Sequence, residues 1–355
     1  MKSIEQLQNH HAIDERRLAM NDEPVLDAAQ PIVDAHHHLW VRPPSPAYFA
    51  AEMVRDIEES GHDVRASVFA ECRSMYRRGG EEELKPLGEL EFANGVGAVC
   101  ASGAHGPRLL CAGIVGFTDL RSPRAGENLA QMQARAPERF SGIRQIGWWH
   151  PDASVANLSV QPPPPQGLFE DRHFLAGMKS LGELGLSFDI TVCHAQLDEA
   201  LRLIDRFPGI TFVITHLGGW VGVGPYAGRR DEEFVAWSTA IRKIGQRHNA
   251  YIKMGGIGMQ KTGMGFHDRE LPPSSIELAQ AWRPFLECCI ESFGCARAMF
   301  ESNFPVDKSC CSYRVVWNTF KRVAGAGSQA EKDLLFFGAA YNAYRLHRTI
   351  APVRS

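Results

Sequence analysis

The segment PIVDAHHHLW (31–40) sets three consecutive histidines behind an aspartate at the end of an apolar, strand-like run. Side chains alternate along a strand, so Ile32, Asp34, His36 and His38 fall on one face and Val33, Ala35 and His37 on the other. His36 and His38 then form an HxH pair. Burying two imidazoles unpaired is costly, and one shared cation would satisfy both. A lone histidine is more often a core or loop residue, so the pair needs support elsewhere in the chain.

That support depends on the elements that carry the other candidates. Seven more strand-like runs follow: VRASVFAEC (64–72), LLCAGIVGF (109–117), RFSGIRQIG (139–147), LSFDITVC (186–193), ITFVITHLGG (210–219), AYIKMGG (250–256) and ARAMFESN (296–303). Between them lie helical patterns such as PAYFAAEMVRDIEES, HAQLDEALRLIDRF and RRDEEFVAWSTAIRKIGQRH, and PSSIELAQAWRPFLECCIESFG, which Pro284 should bend. Two further helices are expected around 312–324 and 329–347. This alternation predicts a (β/α)8 TIM barrel over 31–347, with an N-terminal arm (1–30) and a C-terminal tail (348–355). The competing architecture is an open doubly wound sheet.

In such a barrel the active site gathers at the C-terminal ends of the strands. His36 and His38 end the first strand, His194 the fifth and His216 the sixth, while the eighth runs through FESNFPVD to Asp307. Each alone has a plain structural role as a core residue or helix cap. Five such side chains at strand ends match a mononuclear transition-metal site with a position open for water.

The bulk composition narrows the field. A net charge of −3 and a pI near 6.5 give no electrostatic reason to expect nucleic acid or an anionic membrane as partner. The nine cysteines contain no CxxC and include the adjacent pairs Cys288–Cys289 and Cys310–Cys311, which points to reduced thiols and a cytoplasmic location. No apolar leader opens the chain and no window approaches a membrane span.

The runs VDAHHHLW, THLGG and MFESNFPVDK resemble the amidohydrolase superfamily, in its amidohydrolase-related, lactonase-like branch, over roughly residues 31–345. The resemblance implies that His36, His38, His194 and Asp307 surround a metal or the reactive water, with His216 contacting water or substrate. It implies one divalent metal, zinc first and manganese second, in a branch whose lactonases differ in needing one. Dinuclear members carry a carboxylated lysine at the end of strand four; here that strand reads SGIRQIG, so a bridged two-metal site is not expected.

Arg144 on that strand suits a substrate carboxylate or lactone carbonyl, or equally an ion pair with Glu71. Arg73, Tyr76, Trp148 and Trp149 are candidates to line the substrate pocket, while Cys72 and Cys193 read as core thiols. The glycine-rich GGIGMQKTGMG after the seventh strand is expected as a lid or wall. No GxSxG or GxxxxGK[ST] motif is present.

The expected activity is opening of a lactone or similar ester of a small carboxylated or sugar-acid substrate. Asp307 would act as general base on water, and His216 with Arg144, or the metal, would stabilise the carbonyl oxygen. A metal-dependent decarboxylase and a C–N hydrolase are the alternatives within enzymes; a scaffold with a vestigial site is the non-catalytic one. A homodimer exchanging residues 1–30 is the expectation for assembly.

Overall fold

The computed structural model describes residues 13–43, 46–159 and 163–351. Eight parallel strands, β1 (Ile32–His37), β2 (Val64–Ala70), β3 (Leu109–Gly116), β4 (Phe140–Arg144), β5 (Ser187–Ile190), β6 (Phe212–Ile214), β7 (Ala250–Met254) and β8 (Ala298–Phe300), pair in sequence order. One long helix follows each: α1 (Ala50–Ser60), α2 (Leu87–Ala101), α3 (Ala125–Arg135), α4 (Arg172–Glu183), α5 (Leu197–Arg206), α6 (Arg230–Gly245), α7 (Ser275–Phe293) and α8 (Tyr313–Val323). The last strand returns to the first: Asn303 N–H donates to His36 O at 2.9 Å and His38 N–H to Phe304 O at 2.8 Å. This is the expected (β/α)8 barrel, and the open-sheet alternative falls. Helices α2, α3 and α4 occupy intervals for which the sequence patterns named no element, and α7 runs on through Pro284.

The barrel interior is layered. At the N-terminal end Val33, Ala35, Ala66, Val68, Ala112, Val115, Val213 and Met299 pack together, with Phe337, Ala340 and Leu346 of the C-terminal segment in the same cluster. The intervening strand positions, among them Ile32, Phe69, Ile143, Phe188 and Ile252, cluster instead with residues of the surrounding helices. Strands β1, β2, β3, β6 and β8 thus have hydrophobic packing on both faces, which fixes the strand ends from which a site is assembled.

In β1 the side chains do not keep the simple alternation that would put Ile32, Asp34, His36 and His38 on one face. Ile32 and Asp34 face outward, Asp34 accepting from Tyr313 OH of α8 at 2.9 Å, whereas His36 and His38 face inward. The register between β1 and β2 shifts between Asp34 and His37, placing an extra residue on β1. Such a bulge reverses the alternation beyond it.

Residues 1–12 of the expected arm lie outside the described residues. The described part docks on its own barrel: Arg17 donates to the carbonyls of Phe266 (2.9 Å) and Arg269 (3.1 Å), and Lys308 pairs with Glu15 at 2.7 Å. No helix is long and apolar enough to cross a membrane among the described residues, and all nine cysteines are free thiols.

Candidate active site

Three buried carboxylates meet inside the C-terminal half of the barrel, and two have cations of their own. Arg144 Nε donates to Glu71 Oε1 at 2.9 Å and its Nη2 to the Glu71 carbonyl. Lys253 Nζ donates to Asp189 Oδ2 at 2.8 Å, both side chains wholly buried, and Tyr344 OH donates to the same carboxylate at 2.9 Å. The third, Glu301, is also wholly buried; its Oε1 accepts from His216 Nδ1 at 2.8 Å and from the His216 backbone N–H at 3.2 Å. Its Oε2 stands 3.1 Å from His36 Nδ1 without hydrogen-bond geometry and has no donor. Glu71 Oε2 also lacks a donor, but its carboxylate is paired with Arg144; Glu301 has no Lys or Arg partner among the described residues, and a cation beside it would offset its burial.

The imidazoles are poised to share one. His38 Nδ1 faces the Ala70 carbonyl at 2.8 Å and therefore carries its proton; His216 Nδ1 faces Glu301 and does likewise. Both Nε2 atoms are left as lone pairs. His36 meets a donor at each ring nitrogen, Arg144 Nη1 at Nε2 and Lys253 Nζ at Nδ1, both at 3.3 Å, and a neutral imidazole accepts at one of them. His36 Nε2 and His38 Nε2 stand 3.1 Å apart. Two imidazoles on one tetrahedral ion, at about 2.0–2.1 Å each, would be separated by roughly 3.3 Å. His36, His216 and Glu301 also each offer a ligand atom within 4.8 Å of the others'. Burial, above all, holds His36 and His38 well below the ordinary histidine range, and it lowers His216 against the opposing pull of Glu301. Neutral imidazole is the form that coordinates a metal.

His216 reaches this position on an unusual turn. His216, Leu217, Gly218 and Gly219 have φ of 51, 56, 70 and 72°, all left-handed. For the two non-glycine residues this costs of order 1–2 kcal/mol each, strain of the kind that collects at functional sites. A Cβ on Gly219 would lie 1.7 Å from the Val192 carbonyl oxygen, so the second glycine of HLGG is required by backbone contact.

The remaining predicted residues divide. His194 stands apart from the imidazole–carboxylate group: Val221 N–H donates to its Nδ1 at 3.3 Å, its Nε2 faces Glu233 at 3.3 Å, and its ring packs on Tyr226. Asp307 accepts from Gly258 N–H at 3.0 Å and from Asn303 Nδ2 at 2.9 Å, and burial pushes its carboxyl up to about 7. A cleft of about 640 Å³ opens above the site, lined by His38, Arg144, Trp148, His216, Lys261 and Asn303. Cys72 is in its wall as well. Glu71 lies behind Arg144. Arg73 is exposed, its guanidinium over the Phe117 ring at 5.3 Å, and Tyr76 is half-buried; neither lines the cleft. Trp149 is half-buried outside the lining set, and Cys193 is buried beneath His194.

Sequence reasoning passed over Glu301, Lys253, Asp189 and Lys261. A signal existed for three of them: Glu301 alternates with inward Met299, and Lys253 and Asp189 sit between the outward pairs Ile252/Met254 and Phe188/Ile190. A charged residue on an inward strand position is expensive and needs a reason. Lys261 lies in an irregular loop, where no periodicity marks it.

A family model described as Amidohydrolase matches residues 33–346. The uncharacterized protein y4mH of Sinorhizobium fredii is 30% identical over 330 residues, 89% of this chain and 98% of that protein. An L-fucono-1,5-lactonase of Burkholderia multivorans is 23% identical over 321 residues, 88% of this chain and 96% of that enzyme. A crystal structure of an amidohydrolase from Burkholderia multivorans with bound zinc has the same fold, with TM-score 0.66 and 21% identity, covering 88% of this chain and 99% of that one.

Proposed function

Since the chain belongs to the amidohydrolase family and is a hydrolase, we propose that it opens the lactone, or a similar ester, of a small carboxylated or sugar-acid substrate with water. The similarity to an L-fucono-1,5-lactonase supports this choice of bond. One structural observation carries the reading: on a single cleft His216, its Nδ1 fixed by Glu301, stands beside the Arg144 guanidinium, fixed by Glu71. A lone pair and a cation are thereby held where a water and a carbonyl oxygen can meet them, without reorganisation cost.

In this reading, with no cation bound, His216 Nε2 accepts a hydrogen bond from the attacking water and Asp307 takes its proton; a bound cation would claim the Nε2 lone pair and leave the water to Asp307. A carboxyl held near 7 is matched to proton transfer at neutral pH. The water oxygen bonds to the carbonyl carbon, the ring C–O bond breaks, and the proton held by Asp307 passes to the leaving alkoxide, giving a hydroxy acid. The expectation that His216 donates to the carbonyl oxygen does not suit its tautomer: with Nδ1–H given to Glu301, neutral His216 has no second proton. That role goes to Arg144. His36, His216 and Glu301, with His38 beside them, would hold a divalent cation; when bound it would supply Lewis-acid polarisation of the carbonyl and a lowered pKa for water. Zinc is the first choice, in line with the zinc in the solved relative, and manganese the second.

A second reading makes His216 itself the proton acceptor, because it lines the cleft directly and Asp307 sits behind Asn303. Asp307→Asn separates the two: lost turnover with the fold retained supports Asp307, and near-normal turnover moves the role to His216. Assay against a lactone panel, with products identified by NMR, tests the reaction itself. Release of carbon dioxide from an aromatic or enoic acid, with no lactone opened, would replace it by the decarboxylase alternative.

A further inference from the structure

Three cations line the cleft, Arg42, Arg144 and Lys261, and no aspartate or glutamate does so among the described residues. Charge accounting separates the three. Arg144 is neutralised by Glu71 at 2.9 Å. Arg42 donates to the Cys72 carbonyl and covers the Trp40 ring at 4.9 Å, and Lys261 Nζ sits over the Trp148 ring at 4.2 Å. Neither has a carboxylate within ion-pair distance among the described residues; Asp307 acts on Lys261 only at longer range.

The position of Lys261 is built. Gly222 N–H donates to the Lys261 carbonyl at 2.9 Å and Trp220 Nε1 to the Thr262 carbonyl at 3.3 Å, fastening the loop after β7 to the loop after β6. A Cβ on Gly222 would lie 2.2 Å from the Thr262 oxygen, so backbone rests on backbone. The glycine-rich segment is therefore a fixed wall. On it, Lys261 is 9% exposed, and burial pushes its ammonium down to about 8. Placing an ammonium in such a setting against an aromatic face, with no carboxylate in ion-pair distance among the described residues, costs free energy that an arriving anion would return.

We infer that Lys261, with Arg42, anchors a carboxylate on the substrate distinct from the ester that is opened, so that the cleft takes an anionic lactone in preference to a neutral one. The inference rests on the lactonase reading for the identity of the bond but not for the binding.

Titration calorimetry on the purified chain with glutarate and with the neutral glutaramide tests it. Wild type should bind glutarate at least about tenfold more tightly, the range for one charge-assisted contact, with affinity falling as salt rises. Lys261→Met should erase the preference and Lys261→Arg should keep most of it. Equal binding of the two probes by wild type overturns the inference without needing any variant to fold, as does a preference that survives in Lys261→Met. For lactones differing by one ring carboxylate, Lys261→Met should lower the ratio of kcat/KM values, carboxylated over neutral, by about ten- to a hundredfold, through KM more than kcat. If no lactone is opened but glutarate binds as expected, the lactonase reading fails and the carboxylate anchor stands; equal turnover of both lactones by wild type does the reverse.

Discussion

Asp34 and His36, two residues apart on one strand, face opposite sides of the barrel wall. Asp34 looks outward and accepts from Ser302 N–H at 2.8 Å and Tyr313 OH at 2.9 Å; His36 looks inward to Glu301 and Arg144. The bulge between them lets the carboxylate brace the segment after β8 from outside while the imidazole works within. The residue it braces, Ser302, adjoins Glu301, so the same strand that supplies the HxH pair also positions the carboxylate opposite it.

Glu301 is the carboxylate without a cation, and metal content should depend on it. Purified wild type should carry about one zinc or manganese per chain by elemental analysis. Glu301→Gln should lower metal affinity by tenfold or more in a chelator competition, whereas the cleft residue Trp148→Phe should not. Unchanged affinity in Glu301→Gln would remove it from the ligand set.

Asp307 should make stability pH-dependent in chelated protein. The folded carboxyl keeps its proton up to about 7, while the unfolded one releases it near 3.8. Between these values the folded state binds more protons, so this contribution is fully present at lower pH and lost as pH rises through 7. Asp307→Asn lacks that loss. Urea melts should show the variant gaining on wild type between pH 4 and 7, by no more than about 1.4 kcal/mol per pH unit. A constant difference across that range would mean Asp307 stays ionised in the fold.

Gly256 has φ of +64°, and a Cβ there would lie 2.3 Å from His216 Nδ1. Gly256→Ala should therefore push the imidazole off Glu301. Displacement on the scale of 1 Å can cost about a hundredfold in rate. Activity of the variant should fall by roughly that factor, with circular dichroism unchanged. Full activity would show that the His216–Glu301 contact is dispensable.

Lys253 and Asp189 offer a double-mutant test of the layer beneath the site. Lys253→Met leaves a wholly buried carboxylate with Tyr344 as its remaining donor, and should destabilise the protein by about 3–5 kcal/mol. Asp189→Leu in addition should restore much of that loss in thermal or urea melts. If the second change deepens the loss, the pair is not behaving as a buried ion pair.

The sequence by itself determined the barrel and most of its strand ends. Strand runs of β-branched residues, separated by amphipathic helices, leave few other ways to bury both faces of each strand, and that fixes which residues end up at the C-terminal rim. His36, His38, His216 and Arg144 were legible for this reason. Tertiary structure alone decided how these side chains combine. The reversal of faces after Asp34 depends on an extra β1 residue set against β2, a register that the β1 sequence taken alone does not signal. His194 was drawn into the wall by Val221 and Glu233, partners 27 and 39 residues away in sequence. Which carboxylates are neutralised, Glu71 and Asp189, and which is not, Glu301, is a matter of pairing across the barrel. Charge balance in a buried site is set by distance in space, and strand alternation specifies direction without specifying partner.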